Sequence, residues 1–178
     1  MPTPTALIVR GPPGSGKTTL VEAVLAKGRA QGVSCARVHL DDGWGPGEVH
    51  RQRGATAAAR YPCLVQRPES LLVVDLALGE PGFAQTDELG ATRRPREWVA
   101  LLQRQHDVVL VRLRAPWLVC QARIQARRQQ VAWIHPWGHA VINDDAWRFA
   151  ETAGLRETIV DAERPAADVL ADVLALLP

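Results

Sequence analysis

"IVRGPPGSGKTTLVEAV", residues 8–24, decides how this chain is read. Gly11-Pro12-Pro13-Gly14-Ser15-Gly16-Lys17-Thr18 matches G-x-x-x-x-G-K-[ST] at every fixed position. The setting also fits. Residues 5–10 are a short apolar strand, and 17–30 carry Leu20, Val21, Val24 and Leu25 on one helical face, with Gly32 as a stop signal. Glycines allow successive backbone N–H groups to turn inward toward phosphate oxygens, and a helix N-terminus adds partial positive charge. Gly11, Gly14, Ser15, Gly16, Lys17, Thr18 and Thr19 are therefore the candidate phosphate cradle. In it, Lys17 would reach the β- and γ-phosphates and the Thr18 hydroxyl a Mg²⁺ ion. An incidental glycine-rich turn lacks this strand–loop–helix setting.

Outward from the loop, strands and helices alternate. Further strands are expected at 33–40, 70–78, 107–113 and 157–162, and helices at 48–60, 95–105, 116–130, 144–153 and 166–177. Residues 79–92 read as a Gly/Pro loop. Continuous apolar strands separated by helices predict an α/β domain whose parallel sheet is covered on both faces. Neither a repeat nor a linker divides residues 1–178, so one domain is expected.

Composition narrows the function classes. With 47% apolar and 22% charged residues, the chain has an ordinary globular make-up. Its net charge of +2 is too small to indicate a nucleic-acid platform. No apolar run reaches the roughly 18 residues of a membrane span, so a cytoplasmic protein with no membrane contact is expected. Cys35, Cys63 and Cys120 are widely spaced, which fits reduced thiols rather than a disulfide framework or zinc site. Lys17 and Lys27 are the only lysines, and arginine supplies the other basic groups. A GC-rich genome produces the same bias as selection for phosphate recognition.

Acidic residues stand where the strands end. "RVHLDDGW", residues 37–44, puts Asp41 and Asp42 at the carboxyl end of the second strand, the edge where parallel sheets bind ligands. A carboxylate there can take the proton of an attacking hydroxyl. Either aspartate fits, and both would also suit a turn before Gly43. Asp75 ends the most apolar strand and is a candidate to hold the hydration shell of Mg²⁺; the competing reading is a strand end facing solvent. "VRLRAPWLVCQARIQARR", residues 111–128, sets Arg123 and Arg127 four apart on one helical face with Arg128 beside them. Such arginines can stabilise a transferring phosphoryl group or simply form a solvated face. His135 and His139 flank Pro136 and Gly138, which argues for a loop rather than a metal site. Trp133, Trp137, Trp147 and Phe149 suit either ring stacking or a core, and Trp44 is the better-placed stacking candidate.

The phosphate loop resembles that of the P-loop nucleoside triphosphatase superfamily. The order of elements, with the Ala-Pro and arginine-bearing helix at 115–128, is similar to the small kinases: chloramphenicol phosphotransferase, gluconate kinase, zeta-toxin kinases and, more distantly, uridine kinase. The resemblance implies a three-layer domain with a five-stranded parallel sheet in the order 2-3-1-4-5 and a small Arg-rich lid at about 116–140. It also implies ATP and Mg²⁺ as cofactors and a small-molecule hydroxyl as acceptor. Lys17, Arg123 and Arg127 would stabilise charge, Arg128 would contact nucleotide, and Thr18 and Asp75 would serve the metal. Asp41 aligns with the catalytic base of uridine kinase-like enzymes, which have Asp-x-Phe-Tyr where this chain has Trp44. GTPase switches carry D-x-x-G and N-K-x-D; here "DLALG" (75–79) is one residue too long and "NDDA" (143–146) does not match. Two rival readings remain. Residues 17–42 loosely resemble the molybdopterin-guanine dinucleotide biosynthesis adaptors, which implies a GTPase-type maturation or switch protein. A kinase of nucleic-acid 5′-ends would use the same cleft, although the net charge disfavours it. A monomer or a homodimer is expected.

Overall fold

The computed structural model describes residues 3–39, 68–76, 85–86, 92–93, 100, 102–127 and 154–178. Five strands form one all-parallel sheet: β1 (Thr5–Arg10), β2 (Cys35–His39), β3 (Leu71–Leu76), β6 (Asp107–Arg114) and β7 (Glu157–Asp161). Their spatial order is β2-β3-β1-β6-β7, which is 2-3-1-4-5 when only the strands of this sheet are counted. Helices α1 (Lys17–Ala30), α2 (Trp117–Ala126) and α3 (Ala166–Leu174) accompany it.

Side-chain alternation explains why these strands are buried on both faces. Leu7, Val9, Leu71, Val73, Val111, Leu113 and Val160 point to one side. There they pack with Leu20, Val21, Val24 and Leu25 of α1, with Cys120 of α2 and with Val169 and Val173 of α3. The intervening residues Ala6, Ile8, Leu72, Val74 and Leu110 face the other way and are also buried. Strand β1 pairs with β3 on one side and β6 on the other. The chain leaves β1 toward the β2 side of the sheet but leaves β3 and β6 toward the β7 side, so the connections part in direction at β1. That divergence opens a crevice at the carboxyl ends of the strands, where α/β sheets bind ligands.

Several elements differ in extent from the expectation. β2 begins at Cys35 rather than at 33, and β3 begins at Leu71 rather than at 70, with 77 and 78 outside the described residues. α2 starts at Trp117, after Pro116, and ends at Ala126. α3 stops at Leu174 rather than running to 177, because the residue before Pro178 is pushed away from helical geometry and the last turn tightens. Within the segment expected to be a loop, β4 (Gln85–Thr86) pairs antiparallel with β5 (Thr92–Arg93). Residues 48–60 and 144–153 lie outside the described residues, as does most of 95–105.

Three charged residues bind the centre of the sheet to its edge. Arg10 closes β1, and Arg112 is its register partner in β6. Glu157 opens β7 and accepts from both: Arg10 Nη1 lies 3.2 Å from Oε1 and Arg112 Nε 3.0 Å from Oε2. Both arginine side chains are only 2% exposed. Burial lowers the Arg10 pKa, the Glu157 carboxylate opposes that shift, and neighbouring Arg112 reinforces it. Truncating one partner of such a cluster strands buried charge, which costs about 3–5 kcal/mol. Glu157→Ala should therefore lower the unfolding free energy by about that amount in urea titration. A loss below about 1 kcal/mol, the range of exposed pairs, would show that the cluster does not hold β7 to β1 and β6.

Candidate functional site

The phosphate loop leaves β1 at Gly11 and enters α1 at Lys17. It is wedged against the β6–α2 segment, and two glycines make this approach possible. A Cβ on Gly14, whose φ is 79°, would lie 2.5 Å from the Cys120 carbonyl oxygen. One on Gly11 would lie 2.8 Å from both the Leu113 carbonyl oxygen and Ser15 Oγ. Ser15 is buried, and its N–H closes a turn onto the Pro12 carbonyl at 3.1 Å. Lys17 is also buried; its Nζ donates to the carbonyls of Gly11 at 2.9 Å and Pro12 at 3.2 Å. The ammonium is thereby held against the loop. Gly16 caps α1 without a side-chain hydrogen bond. The first N–H groups of an α-helix have no intrahelical acceptor, which makes this terminus suited to anionic oxygens. Thr18 and Thr19 are exposed beside it.

Asp75 stands next to the loop strand, paired in register with Val9 of β1 and His39 of β2. It has no exposed surface, so it is not the solvent-facing strand end that its sequence position allows. Its Oδ2 accepts from Arg37 Nη2 at 2.9 Å. Arg37 was not singled out from the sequence; the available signal was a lone charge at an apolar-alternating position of β2. Thr18 and Asp75 offer hard oxygen donors, which fits Mg²⁺, an ion that keeps several waters and takes few protein ligands beside phosphates. No cluster of three or more His, Cys, Asp or Glu suited to a metal occurs among the described residues.

From the loop a pocket of about 210 Å³ runs along α1. Ser15, Gly16, Thr19, Leu20 and Ala23 form one wall, Arg123 and Arg127 a second, and Ala162, Arg164 and Val169 a third. Arg123 is partly buried, and its Nη2 donates to the Ala162 carbonyl at 2.8 Å. It therefore ties α2 to the β7–α3 loop and is not simply part of a solvated face. Arg127 is exposed at the end of α2. The third wall went unnoticed in the sequence. Asp161 organises it, accepting from the Glu163 N–H at 3.0 Å, and Arg164 is ion-paired with Asp172 of α3. An Asp at a strand end shortly before Pro165 was the available turn signal.

Asp41, Asp42, Trp44 and Arg128 lie outside the described residues, as do Cys63 and the His/Trp segment at 133–149. Burial raises the pKa of the Cys35 and Cys120 thiols, against the smaller opposing influence of Arg29 on the first and of Arg123 and Lys17 on the second. Neither is favoured as a thiolate. Among the described residues no helix is long and apolar enough to cross a membrane.

Solved structures with this fold include several kinases. A gluconokinase from Sinorhizobium meliloti 1021 aligns with a TM-score of 0.55 at 18% identity, over 98% of this chain and 92% of that one. Shikimate kinase from Acinetobacter baumannii, in complex with shikimate, gives 0.56 at 18% identity, over 98% and 93%. Deoxyadenosine kinase from M. mycoides, with bound dATP, gives 0.59 at 12% identity, over 97% and 99%. At these identities the likeness establishes a shared fold, that of the small P-loop kinases. No curated protein sequence gives a significant match. Residues 7–132, more than half of the chain and including the whole phosphate loop, match the family described as AAA domain (AAA_33), and the chain belongs to that family.

Proposed function

We propose that this protein is a phosphotransferase that moves the γ-phosphoryl group of ATP to a hydroxyl of a small molecule. The observation that carries the proposal is the complete phosphate loop beside the β1/β3 crevice, with buried Lys17 held against it and an arginine-lined pocket continuing along α1. Phosphoryl transfer needs mostly positioning and charge stabilisation, and these elements supply both.

In this reading the N–H groups of the loop and the start of α1 bind the β- and γ-phosphates. Lys17 turns from the loop carbonyls to the phosphate oxygens. The base end of the nucleotide occupies the pocket beside Thr19, Leu20 and Ala23. Arg123 and Arg127 line that pocket and contribute positive charge along the nucleotide, with Arg128 following them in sequence. Thr18 and Asp75 serve Mg²⁺, which when bound offsets negative charge on the phosphates. Asp41 takes the proton of the acceptor hydroxyl as its oxygen attacks the γ-phosphorus; the bond from that phosphorus to the β–γ bridging oxygen breaks and ADP leaves. Asp42 is the alternative base.

The test is ADP release from Mg·ATP in the presence of nucleosides, sugars, hydroxylated antibiotics and short oligonucleotides with 5′-hydroxyl ends. One acceptor class should raise turnover above the acceptor-free rate, and Lys17→Ala should abolish that increment while the chain stays folded. Asp41→Asn should lower transfer by about 10²–10⁴-fold with ATP affinity near wild type. If Asp42→Asn is the inactive variant instead, the base is one residue further on. Guanine-selective binding with no acceptor stimulation would favour the maturation or switch reading.

A further inference from the structure

The contact between Arg37 and Asp75 has no part in gripping phosphate. Asp75 is fully buried, and one carboxylate oxygen is bonded to Arg37 Nη2 at 2.9 Å. Arg37 stands in β2 opposite Val73, so its side chain reaches forward along the strand toward the carboxyl edge to meet Asp75. Both residues lie on the α1 face of the sheet. There the other guanidinium nitrogen, Nη1, is 4.0 Å from Glu22 Oε1. Arg37 is 30% exposed and Glu22 67%. The guanidinium thus lies between a sealed carboxylate and a solvated one.

We propose that Arg37 is a positioning residue that closes Asp75 to free divalent cations, so that metal engages this carboxylate only when it arrives bound to nucleotide phosphates. The proposal rests on reading Asp75 as the metal-shell acid of the phosphate site. Its physical basis is charge competition. A buried carboxylate without a counter-cation is costly and attracts one. Arg37 already fills that role, leaving a free cation little electrostatic gain in displacing it. A cation carried on a triphosphate has a second source of attraction, because the phosphates are held by the loop and the N-terminus of α1. The residue therefore keeps Asp75 oriented in the nucleotide-free protein and couples metal entry to nucleotide entry.

The test uses Mn²⁺ as the probe, titrated into nucleotide-free protein while free Mn²⁺ is read by its electron paramagnetic resonance signal. Arg37→Gln should bind Mn²⁺ at least about tenfold more tightly than wild type, since a unit charge at contact distance is worth more than this factor at an effective dielectric of about 20. Arg37→Lys should return toward wild type, and adding Asp75→Asn to Arg37→Gln should remove the gain. Unchanged or weaker Mn²⁺ binding by Arg37→Gln would overturn the proposal. If that variant does not fold, wild type alone decides: Mn²⁺ with ATP should raise the melting temperature and Mn²⁺ alone should not. An equal rise with Mn²⁺ alone would refute the closure. Wild type is also titrated with ATP in EDTA. Absence of any ATP binding would sink the nucleotide-site reading, while the metal comparison between the Arg37 variants still tests the closure separately.

Discussion

A β-carbon on residue 14 would lie 2.5 Å from the Cys120 carbonyl oxygen, and the nucleotide end of the molecule is built around that close approach. Because the loop can press against the β6–α2 segment, its turn stays compact and delivers Lys17 into the first turn of α1. The same contact brings α2 beside the flank of α1, so that Arg123 faces the pocket. Arg123 in turn bonds to Ala162, which fixes the β7–α3 loop as the third wall. The loop, the arginine helix and the last strand–helix connection thus form one packed unit.

Charge is distributed in the sheet with similar economy. Arg10, Arg37, Asp75 and Arg112 each stand within the last three residues of their strands. The amino-terminal halves of β1 and β3 are buried and almost entirely apolar. Buried and half-buried charge is therefore concentrated at the edge where phosphate would be held, and each of these residues has an ionic partner: Glu157 for Arg10 and Arg112, and Asp75 with Arg37 for each other. Such pairs add little net stability by comparison with apolar packing. What they contribute is orientation: Glu157 aligns β7 with β1, and Arg37 aligns Asp75 with the loop strand.

Much of this was legible in sequence because its determinants are local. Gly11 through Thr18 specify the loop within eight residues, and the apolar runs mark the strands. The sheet order followed from resemblance to small kinases, since periodicity alone gives which face a residue occupies and not which strand is its neighbour. The partners were not legible for the same reason. Arg37 and Asp75 are 38 residues apart and Arg123 and Ala162 are 39 apart, so neither contact leaves a spacing signal. Arg10 and Arg112 are each a charge within an apolar strand, and nothing in the sequence names Glu157 as their partner. The pocket wall at Ala162–Arg164 depends on a turn organised by Asp161, and a single Asp before a loop is too common to be distinctive.

In the proposed function the phosphate loop presents ATP for transfer of its γ-phosphoryl group to an acceptor. The most direct measurement follows the phosphorus itself, by ³¹P NMR of Mg·ATP with the wild-type protein and an acceptor from the responsive class. The γ resonance should decline only when acceptor is present and be replaced by a phosphate-ester resonance, with ADP appearing in equal amount. Release of inorganic phosphate at a rate indifferent to every acceptor would contradict it and identify a nucleotide hydrolase instead.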